Sequence, residues 1–215
     1  DAREVAKARE GAKAARQKFA AVTGENKASQ PLEVVQIDHT PADIILVDSF
    51  ERQPIGRPWV TLAIDVATRL VTGYYTSLEA PSRLSVALCL TQAVAPKAEL
   101  LAELACNIPW PAQGKPQSIH VDNGRDFRSR AFRSACAEWG IDLIYRPPGS
   151  PHFGGHIERL IGTMMGAAHL LPGITQASIA AKGDYDAEGQ ATMTLSEFDH
   201  WFALEICRYN NSIHS

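Results

Sequence analysis

The chain has 215 residues, a formal net charge of −3 and 45% hydrophobic residues, which suits one domain with a real core and excludes a disordered or fibrous protein. Its longest apolar stretch, Leu84 to Ala95, is broken by Ser85, Thr91 and Gln92, short of the ~18 residues a membrane span needs. Four cysteines with no Cys-x-x-Cys pair exclude a zinc ribbon and argue for a reducing, cytoplasmic setting, and the charged start lacks the apolar segment of a secretory signal.

Residues 1–20 carry six basic groups against three acids and are rich in alanine. They read as a basic helix, followed by a linker through Thr23, Gly24, Asn26 and Pro31. Beginning inside such a helix without Met, the chain reads as an excised fragment: residues 1–30 as helix and linker, 31–215 as the main domain. β-Branched runs then predict strands over 33–38, 44–48, 59–66 and 70–76. Residues 82–94 predict a helix, apolar nearly all round and so buried against a sheet. A loop over 108–116 leads to a strand at 118–122, a helix at 130–139 and a strand at 142–145. A Pro/Gly loop ends at Gly154-Gly155. The next helix places Ile157, Leu160, Ile161, Met164 and Ala168 on one face. A last helix opens with a capping box, Thr194 and Glu197, and buries Phe198, Trp201, Phe202, Ile206 and Tyr209. Early consecutive strands pair antiparallel and the later alternation implies parallel crossovers. The fold class is α/β, a mixed five-stranded sheet flanked by helices.

Three acids stand out. Asp38 ends the strand EVVQID, where an unpaired carboxylate is expensive. Asp122 ends SIHVD just before the tight-turn pair Asn123-Gly124, and ligands bind at the carboxyl ends of such strands. Glu158 lies in the first turn of a helix, beside the buried Ile157, where the helix dipole favours its ionised form. Together they offer oxygen ligands suited to Mg²⁺, and two such ions can clamp an in-line phosphoryl displacement. Each acid also has a plain structural reading, as a strand-end cap, an Asx-turn or a dipole partner.

Their spacing is more specific: 83 residues separate Asp38 from Asp122, and 35 separate Asp122 from Glu158. This resembles the Asp-Asp-35-Glu signature of retroviral integrases and bacterial DDE transposases, which share the RNase H-like fold. VVQIDHT resembles the first-acid strand, VDNGRDF the D-N-G-x-x-F block, and YRPPGSPHFGGHIER the loop leading into the glutamate helix. PADIILVD, RPWVTLAIDVATR, HLLPG, KGDYDAEG and MTLSEF look most like transposase-B-type subunits of bacterial transposons related to phage Mu transposase. The resemblance covers about residues 32–215.

It implies a two-metal core, using Mg²⁺ or Mn²⁺ when DNA is bound. Such a core nicks transposon 3′ ends and joins them to target DNA without a covalent protein intermediate. Asp38 would bridge the ions, with Asp122 and Glu158 each holding one; Asn123, Arg146 and His156 would contact DNA or support the site. It further implies transposon-end and target DNA as partners, other copies of the chain, an ATP-hydrolysing regulator, no membrane, and action at the bacterial nucleoid. The lysines that follow the glutamate in retroviral enzymes are replaced by Gly162 and Met165, and the retroviral His-His-Cys-Cys module is absent. Six arginines (125, 128, 130, 133, 146 and 159) give the central region positive charge suited to phosphates. Asp48 and Asp65 read as turn or supporting residues, and Asp184 and Asp186 as solvated loop acids. Two alternatives stay open: a nuclease of this fold that only hydrolyses, and an assembly module without chemistry.

Overall fold

A computed structural model describes Arg9 and residues 28–146, 154–175 and 186–213. The predicted N-terminal basic helix, the Pro/Gly loop at 147–153 and the segment 176–185 with Asp184 lie outside the described residues.

Five strands build the main sheet: β1 (Val34–Pro41), β4 (Trp59–Asp65), β5 (Val71–Ser77), β6 (Ser118–Val121) and β7 (Asp142–Tyr145). Their order is β5-β4-β1-β6-β7. The pairs β1·β4 and β4·β5 are antiparallel, and β1·β6 and β6·β7 are parallel. A short turn joins β4 to β5 and residues 42–58 return the chain from β1 to β4, allowing these two antiparallel pairings, whereas each parallel step needs a helical crossover. The crossover to β6 carries α1 (Arg83–Val94) and α2 (Ala98–Glu103), and that to β7 carries α3 (Arg130–Glu138). This is the RNase H-like arrangement, the mixed five-stranded sheet that the sequence predicts.

Strand alternation splits the core into two layers. Val35 and Ile37 of β1 pack with Val86, Cys89, Phe132 and Cys136 beneath α1 and α3. On the other face α4 (Gly155–Ala168) and α5 (Leu195–Asn210) set Ile157, Leu160, Phe198 and Phe202 over Leu62 and Ile64. Two contacts lock this second face. Ile157 N–H donates to the buried Gln36 Oε1 at 3.1 Å, and Asn210 exchanges two hydrogen bonds with the Val71 backbone. The capping box forms as predicted: Glu197 N–H donates to Thr194 Oγ1 and Thr194 N–H to Glu197 Oε2. Gly73 of β5 is required by close approach, because a Cβ there would lie 2.5 Å from the Cys89 carbonyl oxygen of α1.

Some expectations change. The run 44–48 does not join the main sheet: β2 (Leu46–Val47) pairs antiparallel with β3 (Pro54–Gly56) in a separate two-stranded ribbon, and Ile44 forms an isolated antiparallel bridge with Ile174. Its Asp48 stops the strand by accepting the backbone N–H groups of Phe50, Glu51 and Gln53. α1 is buried along one face only, leaving Leu84 and Leu88 exposed. In the last helix Trp201 and Tyr209 are half-buried, and Ala203 and Cys207 fill the core instead. The short helix α2 has no counterpart in the sequence reading. Asp65 is a structural acid, accepting from Leu32 N–H and from the Thr68 N–H and hydroxyl.

Candidate active site

The parallel register of β1 and β6 pairs Val34 with Ser118, Val35 with Ile119 and Gln36 with His120. Two residues further along both chains come Asp38 and Asp122. Asp122 directly follows β6, whereas Asp38 lies inside β1, which runs on to Pro41 instead of ending at the acid as the sequence suggests. The register still sets the two level on neighbouring strands, with Asp38 on the face that Gln36 presents to α4. Asp38 is half-buried: its Oδ1 accepts His39 N–H at 2.8 Å and its Oδ2 accepts Arg146 Nη2 at 3.2 Å. Asp122 is exposed, and its Oδ1 accepts Gly124 N–H at 2.8 Å in an Asx-turn. Glu158, also exposed, sits in the first turn of α4.

Arg146 enters from a third parallel strand. It is the first residue past β7, and its N–H donates to Val121 O beside Asp122. Its side chain is only 11% exposed, and Nη2 also approaches Ile37 O at 3.4 Å. Gly154 allows the closing approach: a Cβ there would lie 2.6 Å from Arg146 Nη1 and 2.7 Å from Glu158 Oε1. One guanidinium thus touches the Asp38 carboxylate and lies beside that of Glu158.

Two further groups surround the acids that the sequence reading did not single out. His39 stacks on Phe127 at 4.8 Å and bonds Thr61 Oγ1 at 2.8 Å through Nδ1, while its Nε2 is buried without a hydrogen-bond partner. Burial pushes its imidazole below the ordinary range, opposed by the negative charges of Asp38, Asp126 and Asp122. Asp126 is therefore a fourth acid of this neighbourhood; its only sequence signal is its place in VDNGRDF.

The supporting residues divide. Asn123 is committed to structure: its Nδ2 donates to Arg146 O at 2.6 Å, and its Oδ1 accepts from Arg128 at 2.6 Å. It ties the ends of β6 and β7 together and so positions Asp122 against Arg146. His156 lies two positions before Glu158 in the first turn of α4. It lines a pocket on the other flank of α4 with Arg69, Arg159 and Tyr209, as expected for a residue two positions, about 200°, from Glu158 on a helix. Among the described residues no group of three His, Cys, Asp or Glu side chains is placed to hold one metal ion, and no helix is long and apolar enough to cross a membrane.

The TnsB C-terminal domain family model matches residues 36–173, a span containing Asp38, Asp122 and Glu158. The chain belongs to that family. It is 34% identical over 138 residues to the transposase for transposon Tn552 of Staphylococcus aureus, covering 64% of this chain and 27% of that protein. It is 29% identical over 197 residues to the transposon Tn7 transposition protein TnsB of Escherichia coli, covering 89% of this chain and 28% of that protein. The chain thus spans little more than a quarter of either relative. Among solved structures, the simian T-cell lymphotropic virus intasome in complex with PP2A regulatory subunit B56 gamma superposes with a TM-score of 0.57. The identity is 15%, covering 89% of this chain and 53% of that one. That similarity bears on the fold alone and agrees with an integrase-like core.

Proposed function

We propose that this TnsB-family chain is the catalytic core of a DNA transposase, with Asp38, Asp122 and Glu158 as its acidic triad. The observation that carries the reading is the parallel register of β1 and β6, which sets Asp38 and Asp122 at matching positions, with Arg146 bridging from Asp38 toward the helix turn that bears Glu158. The donor set is all oxygen, which fits Mg²⁺ or Mn²⁺. The Arg146 guanidinium paired with Asp38 at 3.2 Å supports a cationic partner for that carboxylate.

In this reading Asp38, Asp122 and Glu158 would hold the ions, with Asp38 contributing to both. When bound, the ions supply charge neutralisation at phosphorus and activation of the attacking oxygen. The chain's own groups do the positioning. His39 N–H fixes one oxygen of Asp38 and leaves the other to its cation partner. Gly124 N–H orients Asp122. Asn123 holds the backbone of Arg146, whose guanidinium is a donor for a DNA phosphate once it leaves Asp38. His156 is set aside from the chemistry. Transposon ends, target DNA, further copies of the chain and an ATP-hydrolysing regulator are the partners that the resemblance implies, in the bacterial cytoplasm.

The test is end joining by a longer protein carrying this core, with labelled transposon-end DNA, a plasmid target and Mg²⁺. Joined products that vanish in Asp38→Asn, Asp122→Asn and Glu158→Gln, with the fold retained, support the reading. Cleavage without joining would instead identify a hydrolase of the same fold. Near-native joining by the Asp38→Asn protein would remove Asp38 from the site.

A further inference from the structure

A second polar cavity, of about 240 Å³, opens on the flank of α4 away from Glu158. Arg69 reaches it from the β4–β5 turn, Arg159 and Thr163 from α4, and Tyr209 and Ser212 from the end of α5; Ile64 and Leu160 supply apolar wall. Arg69 holds a left-handed backbone, φ 66°, supported by its N–H to Asp65 O. Its Nη1 is buried and has no hydrogen-bond partner. Buried donors are nearly always satisfied, and a charged one is the costliest to leave unmet. Among the described residues, neither Arg69 nor Arg159 has a carboxylate within 4 Å. Both guanidinium charges act on the same phenol: burial pushes the Tyr209 hydroxyl up, and Arg69 and Arg159 oppose it. Two like charges are therefore gathered at one cavity with a spare donor and, among the described residues, no carboxylate ion-paired to them.

We propose that Arg69 and Arg159 form a phosphate-binding subsite that takes a backbone phosphodiester of bound DNA. The inference rests on the DNA-acting reading above and extends it to a second point of contact. α4 carries both sites, Glu158 on one flank and the adjacent Arg159 toward the other. A strand lying across the exposed face of this helix is held at both. The apolar wall suits a deoxyribose beside the phosphate, and no base edge is read, so the subsite fixes register without sequence preference.

The test is a fluorescence-anisotropy titration of this chain with a labelled DNA duplex in EDTA, across about 50 to 200 mM salt. It compares wild type with Arg69→Gln, Arg69→Lys and Arg159→Gln, with melting curves on every protein. Each Gln variant is expected to lose about tenfold in affinity and to flatten the log K against log salt slope by about one. Arg69→Lys is expected to keep most of the slope. Arg159 is exposed, so its variant reports even if Arg69→Gln unfolds. Asp122→Asn, run in parallel, is expected to bind DNA like wild type while losing end joining, which separates failure of the subsite from failure of the catalytic reading. Inorganic phosphate is the control probe. If it raises the melting temperature of wild type but not of the Gln variants while DNA slopes stay unchanged, the cavity holds a free oxyanion and the DNA assignment falls. Unchanged affinity and slope in Arg159→Gln, or no DNA binding by wild type at the lowest salt, overturns the proposal.

Discussion

Replacing Asp38 by Asn is expected to cost stability, and the structure sets how much. Asp38 and Arg146 are 3.2 Å apart with side chains 20% and 11% exposed. Exposed pairs contribute about 0.2–1 kcal/mol, and breaking a fully buried pair costs about 3–5 kcal/mol. A pair at this depth falls between, at about 1–2 kcal/mol, because Asn still accepts a hydrogen bond but leaves Arg146 without its counter-charge. At about 2–4 °C per kcal/mol for a chain of this size, the metal-free variant should melt about 2–8 °C below wild type. Arg146→Gln should match it. The double variant should be hardly worse than either single, giving a coupling energy of about 1 kcal/mol. Asp122→Asn should melt within about 1 °C of wild type, since Asp122 is exposed and among the described residues accepts only the Gly124 N–H. Differential scanning calorimetry in EDTA measures all four. A rise in melting temperature for Asp38→Asn would refute the reasoning: repulsion among the carboxylates would then outweigh the arginine. Strictly additive single effects would refute it as well.

Gly154→Ala places a methyl between Arg146 Nη1 and Glu158 Oε1. Both are ends of flexible side chains, so the melting temperature should stay within about 2 °C while end joining drops at least about tenfold; normal joining would show that the close approach is incidental. Gly73→Ala meets the backbone of α1 instead and should cost about 1–3 kcal/mol, read by urea unfolding, with no cost if α1 simply shifts. Hydrogen bonds from Arg52, then from Thr194, hold the Glu197 carboxyl down at about 2. A depressed folded-state value gives stability that is present above the ordinary 4.5 and is lost as pH falls toward 2. Melting curves of wild type and Glu197→Gln should therefore converge over that window, and parallel curves would contradict the assignment.

Much of this architecture is legible in the chain because strand and helix periods are local. The capping box at Thr194 and the β-branched runs needed no tertiary information. The run 44–48 misleads because sheet membership depends on where the chain turns next, and Asp48 turns it into a ribbon with Pro54–Gly56. At the site, it is the resemblance of the spacing and flanking motifs to a known family that singles out Asp38, Asp122 and Glu158, but only parallel register brings the first two level. Nothing in the sequence around Asp38 announces its partner Arg146, which arrives from the end of β7, over a hundred residues later. Arg69 and Arg159 meet only through the fold.

The central claim is that Asp38 and Asp122 share a catalytic metal. Anomalous diffraction from crystals of the DNA-bound core soaked in Mn²⁺ tests it most directly. The account predicts a manganese peak bonded to the carboxylates of both Asp38 and Asp122, with Arg146 no longer on Asp38. Manganese bound elsewhere, with the Arg146–Asp38 pair intact at saturating metal, would contradict it.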